Sequence, residues 1–136
     1  MHKHRSIAGL AERNGQYFLA KRKPGGDLGG LWELPGGKLE EGESPSQAME
    51  REWKEELEIE IHTGSLLTSS TFSHNGKEFE LEVYEVSFKE QKMVLNEHEE
   101  TGWFHKSEVE KLDLAGSDRT ALAQIWDEIT LRDPVQ

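Results

Sequence analysis

Three acidic residues at helical spacing constrain this chain more than any other feature of its sequence. Glu52, Glu55 and Glu56 occupy positions i, i+3 and i+4, so a helix through them would place all three carboxylates along one face. Each like-charge pair at this spacing costs about 0.2–0.5 kcal/mol. A cation or a partner charge must offset that repulsion. Because Mg²⁺ prefers carboxylate oxygens, the pattern predicts a magnesium site.

A capped helix start precedes the three acids. Ser44 fits the N-cap, Pro45 the first helical position and Gln47 the third position of a capping box. These signals predict a helix over about residues 45–57. Its apolar stripe consists of Met49, Trp53 and Leu57. The three glutamates occupy the arc beside this stripe, between core and open surface, which is where a site in a cleft should lie.

Strand patterns and turn signals occupy much of the first 40 residues. Asn14-Gly15 lies between the apolar-rich segments 6–10 and 16–21, and this predicts a β-hairpin that joins them. Segment 23–30 is rich in glycine and proline, so we expect a loop there.

The second half of the chain combines an alternating strand with a final helix. Residues 79–88 begin with alternating apolar and acidic side chains, which predicts a strand with one buried face and one solvated face that includes Glu82. A last helix is predicted from Ser117 or Asp118, with core residues Leu122, Ile125, Trp126 and Ile129. This mixture of elements, without an internal repeat, predicts the α+β class.

Composition limits the partners of the chain. Its 136 residues include 27 acidic and 16 basic ones, for a net charge of −11, which repels nucleic-acid polymers and anionic membranes. A small phosphorylated substrate remains compatible if divalent ions screen its charge. The length predicts a single domain over residues 1–136. The absence of cysteine excludes disulfides and is compatible with the cytoplasm, the location that we expect.

The acidic segment resembles the Nudix box. That motif consists of Gly, five residues, Glu, seven residues, Arg-Glu, an aliphatic, any residue, Glu-Glu, any residue, Gly and an aliphatic. The matching residues are Gly37, Glu43, Arg51, Glu52, Glu55 and Glu56. Two positions depart from the pattern: Trp53 replaces an aliphatic residue, and Glu58 replaces the glycine at the helix end, where a left-handed conformation is preferred. The flanks, residues 32–37 and Trp103, resemble MutT-type members of the family.

The resemblance implies a Nudix α/β/α sandwich with a mixed β-sheet between helices. It also implies Mg²⁺-dependent hydrolysis of a nucleoside triphosphate to the monophosphate and pyrophosphate, with Mn²⁺ as a substitute metal. The implied metal ligands are the backbone carbonyl of Gly36 and the side chains of Glu52, Glu55, Glu56 and Glu97. These four glutamates are also the implied catalytic residues, with Glu52 favoured as general base. Glu97 is identified by its place six residues before Trp103, and Glu100 is the near alternative.

Other residues acquire supporting roles from the same resemblance. Gly37 is a structural residue of the motif, and Glu43 and Arg51 would form an ion pair that holds the loop against the helix. Arg22 and Lys38 are expected to contact phosphate. Asp118 would contact the edge of the nucleobase, or would be a plain helix N-cap without a ligand.

The substrate is less constrained by sequence than the reaction. An oxidised guanine nucleotide, 8-oxo-dGTP, is the first expectation, and CTP or dCTP is the alternative. A nucleotide sensor that binds without hydrolysis belongs to a different class, and such proteins typically lose box carboxylates that this chain retains. We expect a small-molecule nucleotide as partner, no nucleic-acid polymer, no membrane, and a monomer or homodimer.

Overall fold

The structure is a computed structural model that describes residues 4–132, with side chains through residue 129. The predicted domain, residues 1–136, extends beyond the described residues at both ends. In chain order the elements are β1 (His4–Leu10), β2 (Glu12–Arg13), β3 (Gln16–Arg22), β4 (Trp32–Glu33), β5 (Gly36–Lys38), α1 (Pro45–Leu57), β6 (His62–His74), β7 (Lys77–Ser87), β8 (His98–Phe104), α2 (Lys106–Val109) and α3 (Gly116–Arg132).

The strands form two sheets. The first has the order β5-β1-β7-β6 and is mixed, because β1 is parallel to β7 while its other pairs are antiparallel. The second is antiparallel and is centred on β3, which pairs with β2, β4 and β8. The predicted α+β sandwich with a mixed sheet is confirmed, although its strands are divided between two sheets.

Helices cover the sheets on both sides, as alternation along the strands shows. Ile7 and Phe18 pack in a cluster with Met49, Trp53 and Leu57 of α1. Their neighbours Ala8 and Leu19 belong to a second cluster, whose α3 members are Ala121, Leu122, Ile125 and Trp126. Because successive strand residues point to opposite faces, the sheets lie between α1 and α3. No helix within residues 4–132 has both the length and the apolar character needed to cross a membrane.

Helix α1 begins and ends at its predicted residues. Ser44 accepts a hydrogen bond from the Gln47 N–H at 3.2 Å, and the Gln47 side chain accepts from the Ser44 N–H at 2.9 Å. The helix ends at Glu58, whose φ of 55° and ψ of 39° are left-handed. Glu58 therefore adopts the conformation for which the motif ordinarily uses glycine.

Three predictions need correction: one concerns the pairing of a strand and two concern the burial of a side chain. The Asn14-Gly15 turn is present, but it joins β3 to the two-residue β2, because β1 is buried on both faces and pairs in the other sheet. Glu82 is buried rather than solvated, since α1 covers its face of the sheet, and the Arg5 guanidinium contacts it at 2.7 and 2.9 Å. Ile129 is 44% exposed and lies outside the core.

Trp53, which replaces the aliphatic residue of the motif, is fully buried above Gly9 of β1. Its indole N–H donates to the Pro35 carbonyl at 3.1 Å, and that carbonyl also accepts from the Gly9 N–H at 2.9 Å. A Cβ atom added to Gly9 would lie 2.5 Å from Val86 Cγ2 and 3.0 Å from the Trp53 ring. The bulky indole therefore fits only because β1 carries a glycine beneath it.

We predict that Gly9→Ala lowers the free energy of unfolding by about 1–3 kcal/mol, because the new methyl group overpacks the α1 interface. Urea denaturation followed by circular dichroism would measure the change. Gly116→Ala is the matched control, since nothing lies within 4 Å of its added Cβ. Equal stability of Gly9→Ala and the wild type would contradict this account of how Trp53 is accommodated.

Candidate functional site

The three glutamates of α1 lie in three different environments. The Glu55 side chain is 60% exposed, that of Glu52 is 15% exposed and that of Glu56 is 7% exposed. Among residues 4–132, neither carboxylate oxygen of Glu56 has a hydrogen-bond partner. A buried, unpaired carboxylate is costly, so Glu56 requires either a proton or a cation.

Arg51 connects the acidic helix to the loop before it. Its guanidinium donates to the Glu43 carboxylate at 2.7 and 3.0 Å and to Glu52 at 2.8 Å. It also donates to the Lys38 carbonyl at 3.1 Å. The bidentate contact with Arg51 lowers the pKa of Glu43 and raises that of Arg51. Loop, strand β5 and helix are thus held by a single guanidinium.

The two glycines of β5 allow close approach on opposite sides. A Cβ atom added to Gly37 would lie 2.6 Å from each carboxylate oxygen of Glu52, and one added to Gly36 would collide with the Ile7 carbonyl of β1. Only glycine lets the strand backbone pass between β1 and the acidic face of α1. The structure therefore brings Gly36, Gly37 and Glu52 together.

A cluster that the sequence did not indicate lies beside Glu56. The His98 Nε2 atom lies 2.9 Å from Glu33 Oε2 and 3.8 Å from Glu56 Oε1. Glu33 and His98 are 65 residues apart, so no spacing pattern connects them. Their proximity follows from topology, because β4 and β8 pair with opposite edges of β3.

Glu97 and Lys38 lie outside this cluster. Both side chains are exposed, and the Glu97 backbone carbonyl accepts from the Lys23 N–H at 3.3 Å. The only cluster of metal-ligating side chains within the described part of the chain contains its neighbour His98 and not Glu97. Glu97 as a ligand therefore stays a prediction.

Arg22 and Asp118 have partners within the protein. Arg22 Nη1 lies 3.3 Å from Glu33 Oε2, and Asp118 Oδ2 accepts the Leu34 N–H at 2.9 Å. Asp118 lies in the first turn of α3 rather than before it, so its interpretation as an N-cap is wrong. Burial raises the pKa of Asp118 to about 7.

The donors around Glu56 fit a divalent cation. Burial raises the pKa of Glu56 well above its ordinary value, and the nearby Glu33 and Glu52 carboxylates raise it further. The available groups are oxygen-rich, which suits Mg²⁺. A cation would offset the mutual repulsion of these acids, whereas a proton would neutralise only one of them.

The chain is similar to known proteins over most of its length. A NUDIX domain family model matches residues 2–125. The CTP pyrophosphohydrolase of Escherichia coli (strain K12) is 35% identical over 112 residues, which cover 82% of this chain and 83% of that protein. An 8-oxo-dGTP diphosphatase of Proteus vulgaris is 39% identical over 66 residues, 48% of this chain and 57% of that protein.

A solved structure has the same fold over nearly the whole chain. The solution structure of the E. coli ORF135 protein superposes with a TM-score of 0.85 and 32% identity, over 97% of this chain and 94% of that one.

We predict that Asp118→Asn changes how stability depends on pH. The folded state raises the pKa of Asp118 from 3.8 to about 7. The stability from this group is therefore full below about pH 4 and is lost as the pH rises towards 7. The unfolding free energy of Asp118→Asn minus that of the wild type should therefore increase by about 1–3 kcal/mol as the pH rises from 5 to 8. Urea denaturation at each pH is the measurement. Asp127→Asn, an exposed change on the same helix, is the control. Parallel pH profiles for Asp118→Asn and the wild type would contradict the prediction.

Proposed function

This chain belongs to the NUDIX domain family, and we propose that it hydrolyses a nucleoside triphosphate to the monophosphate and pyrophosphate with Mg²⁺. The observation that carries the proposal is the buried Glu56 carboxylate, which lacks a hydrogen-bond partner among the described residues and lies on the box helix. Retention of every charged position of the box supports hydrolysis over nucleotide sensing without turnover.

In this proposal the cation would be held by the Gly36 carbonyl and by Glu52, Glu55 and Glu56, with Glu97 approaching from its loop. When bound, Mg²⁺ would neutralise phosphate charge and lower the pKa of a bound water. Glu52 is the proposed general base. The contact with Arg51 at 2.8 Å fixes the direction of its carboxylate.

The triphosphate would lie along the positive side chains near the box. Lys38 follows Gly37 directly and is exposed, so its ammonium group is available to a phosphate. Arg22 is 36% exposed at its side chain and is shared with Glu33, which leaves part of its guanidinium for the substrate. Both side chains would offset the repulsion between the negative triphosphate and the acidic protein.

From the sequence we expect 8-oxo-dGTP first and CTP or dCTP second; on the strength of the similarities to known proteins we propose the reverse order, cytosine first and 8-oxoguanine second. The similarity to the E. coli CTP pyrophosphohydrolase extends over most of both chains, and this supports a cytidine nucleotide. The similarity to 8-oxo-dGTP diphosphatases supports the second substrate. An ionised Asp118 would accept from the cytosine amino group, whereas a protonated Asp118 could pair with the oxidised purine. We further propose a cytoplasmic protein with no nucleic-acid polymer as partner.

We predict that Glu52→Gln and Glu56→Gln each lower kcat/KM by at least about 10²-fold, because each removes a charge needed at the metal and at the attacking water. Pyrophosphate release with saturating Mg²⁺ is the measurement. Glu50→Gln, an exposed change on the outer face of the same helix, should leave turnover unchanged. Wild-type turnover in both site variants would refute the assignment.

The substrate prediction is tested with a panel of nucleotides. We expect the highest kcat/KM with CTP or dCTP and the next highest with 8-oxo-dGTP. Asp118→Asn should reduce the preference between these two bases more than it reduces turnover of the better one, because the amide cannot change its protonation state. Absence of turnover with every triphosphate would refute the proposed reaction.

A further inference from the structure

Glu33 lies outside the box, yet its carboxylate is held by side chains from two other parts of the chain. Its side chain is 11% exposed, and two donors from different strands converge on the same oxygen: His98 Nε2 lies 2.9 Å from Oε2, and Arg22 Nη1 lies 3.3 Å from it. A carboxylate fixed through one oxygen has a defined direction for the other.

Glu56 faces this carboxylate without a partner. One carboxylate oxygen from each glutamate and one ring nitrogen of His98 all lie within 4.8 Å of one another. Both oxygens of Glu56 are buried and unpaired within residues 4–132. Two carboxylates this close in a buried place repel each other, and a cation between them would relieve that repulsion.

We propose that Glu33 is a ligand of the same divalent cation as Glu56, and that His98 and Arg22 are positioning residues that hold Glu33 for this role. The inference rests on the metal site of the proposed function and extends it with a carboxylate outside the box. Two metal–oxygen bonds of about 2.1 Å span at most about 4.2 Å, so a small closing movement of the two side chains suffices.

His98 acts through Glu33 rather than as a ligand. Its Nε2 atom is engaged by Glu33, and its Nδ1 atom has no hydrogen-bond partner among the described residues. Histidine ligands ordinarily donate their second ring N–H to a partner, which is absent here. The tautomer with hydrogen on Nε2 satisfies the contact with Glu33 and leaves only a bare acceptor at Nδ1, so His98 is a donor to the ligand.

The test is binding of Mn²⁺ alone, measured by electron paramagnetic resonance without nucleotide. Glu33→Gln keeps the size of the side chain and an acceptor for His98 and Arg22, but removes the charge. We expect it to weaken Mn²⁺ binding by at least about tenfold. Glu99→Gln removes the same charge from an exposed side chain on β8 and should change the affinity by less than about twofold. Wild-type affinity in Glu33→Gln would overturn the proposal.

Two further measurements separate a ligand from a structural residue. Without metal, Glu33→Gln should unfold at a temperature equal to or above that of the wild type, because the buried repulsion is relieved, while its thermal shift on adding Mn²⁺ should shrink. Weaker Mn²⁺ binding accompanied by a lower melting temperature without metal would overturn the ligand role in favour of a folding defect.

The role of His98 is tested separately. Electron spin echo modulation of the Mn²⁺-loaded protein should show no ¹⁴N coupling from a directly bound imidazole, whereas a coupling that disappears in His98→Gln would make His98 a ligand and overturn its assignment as a positioning residue. His98→Gln, which keeps a donor, should retain more Mn²⁺ affinity than His98→Ala. The proposed function is judged independently: triphosphate turnover by the wild type with unchanged metal affinity in Glu33→Gln would refute this inference alone.

Discussion

The packing of Trp53 against β1 determines how close the acidic helix lies to the glycine strand, and the candidate site depends on that spacing. The indole lies on Gly9, and its N–H shares the Pro35 carbonyl with the Gly9 N–H. Pro35 precedes the two glycines of β5, so one carbonyl links the helix, the central strand and the strand whose backbone approaches Glu52. An aliphatic residue could fill the same space but could not donate this bond, since it has no N–H.

Glu58, which replaces the glycine of the motif at the end of α1, makes a contact that glycine could not make. A non-glycine residue in the left-handed region costs about 1–2 kcal/mol, and Glu58 accepts this conformation. In return, its carboxylate accepts from the Asn96 amide at 3.0 Å, and the same amide donates to the Glu55 carbonyl at 2.8 Å. The Asn96 N–H donates to the Glu56 carbonyl at 3.0 Å. The segment before β8 is therefore fastened to the acidic end of the helix, and this places His98 beside Glu56.

Local signals predicted the elements well and their partners poorly. The cap at Ser44 and the stripe through Trp53 are set by neighbouring residues, so helix α1 could be predicted to the residue. The pairing of β1 could not be predicted, because the sequence of a short apolar strand does not show whether it pairs with the next strand or with residues 75 positions away. The burial of Glu82 could not be predicted for the same reason: alternation shows which residues share a face, but not that α1 covers one face of the sheet and α3 the other.

For the site, the box placed its acids on the correct helix, but their environments depend on tertiary structure. Glu52, Glu55 and Glu56 look equivalent by spacing, yet one pairs with Arg51, one is exposed and one is buried. The difference arises because Arg51 contacts the loop and Glu52 on one side of the helix, whereas Glu56 on the other side lies near Glu33 of β4. Arg22 is engaged by Glu33 at 3.3 Å, and Glu56 has no hydrogen-bond partner among the described residues. Burial and the neighbouring Glu33 and Glu52 carboxylates raise the pKa of Glu56, so a bound cation would take the place of the proton that otherwise neutralises this group.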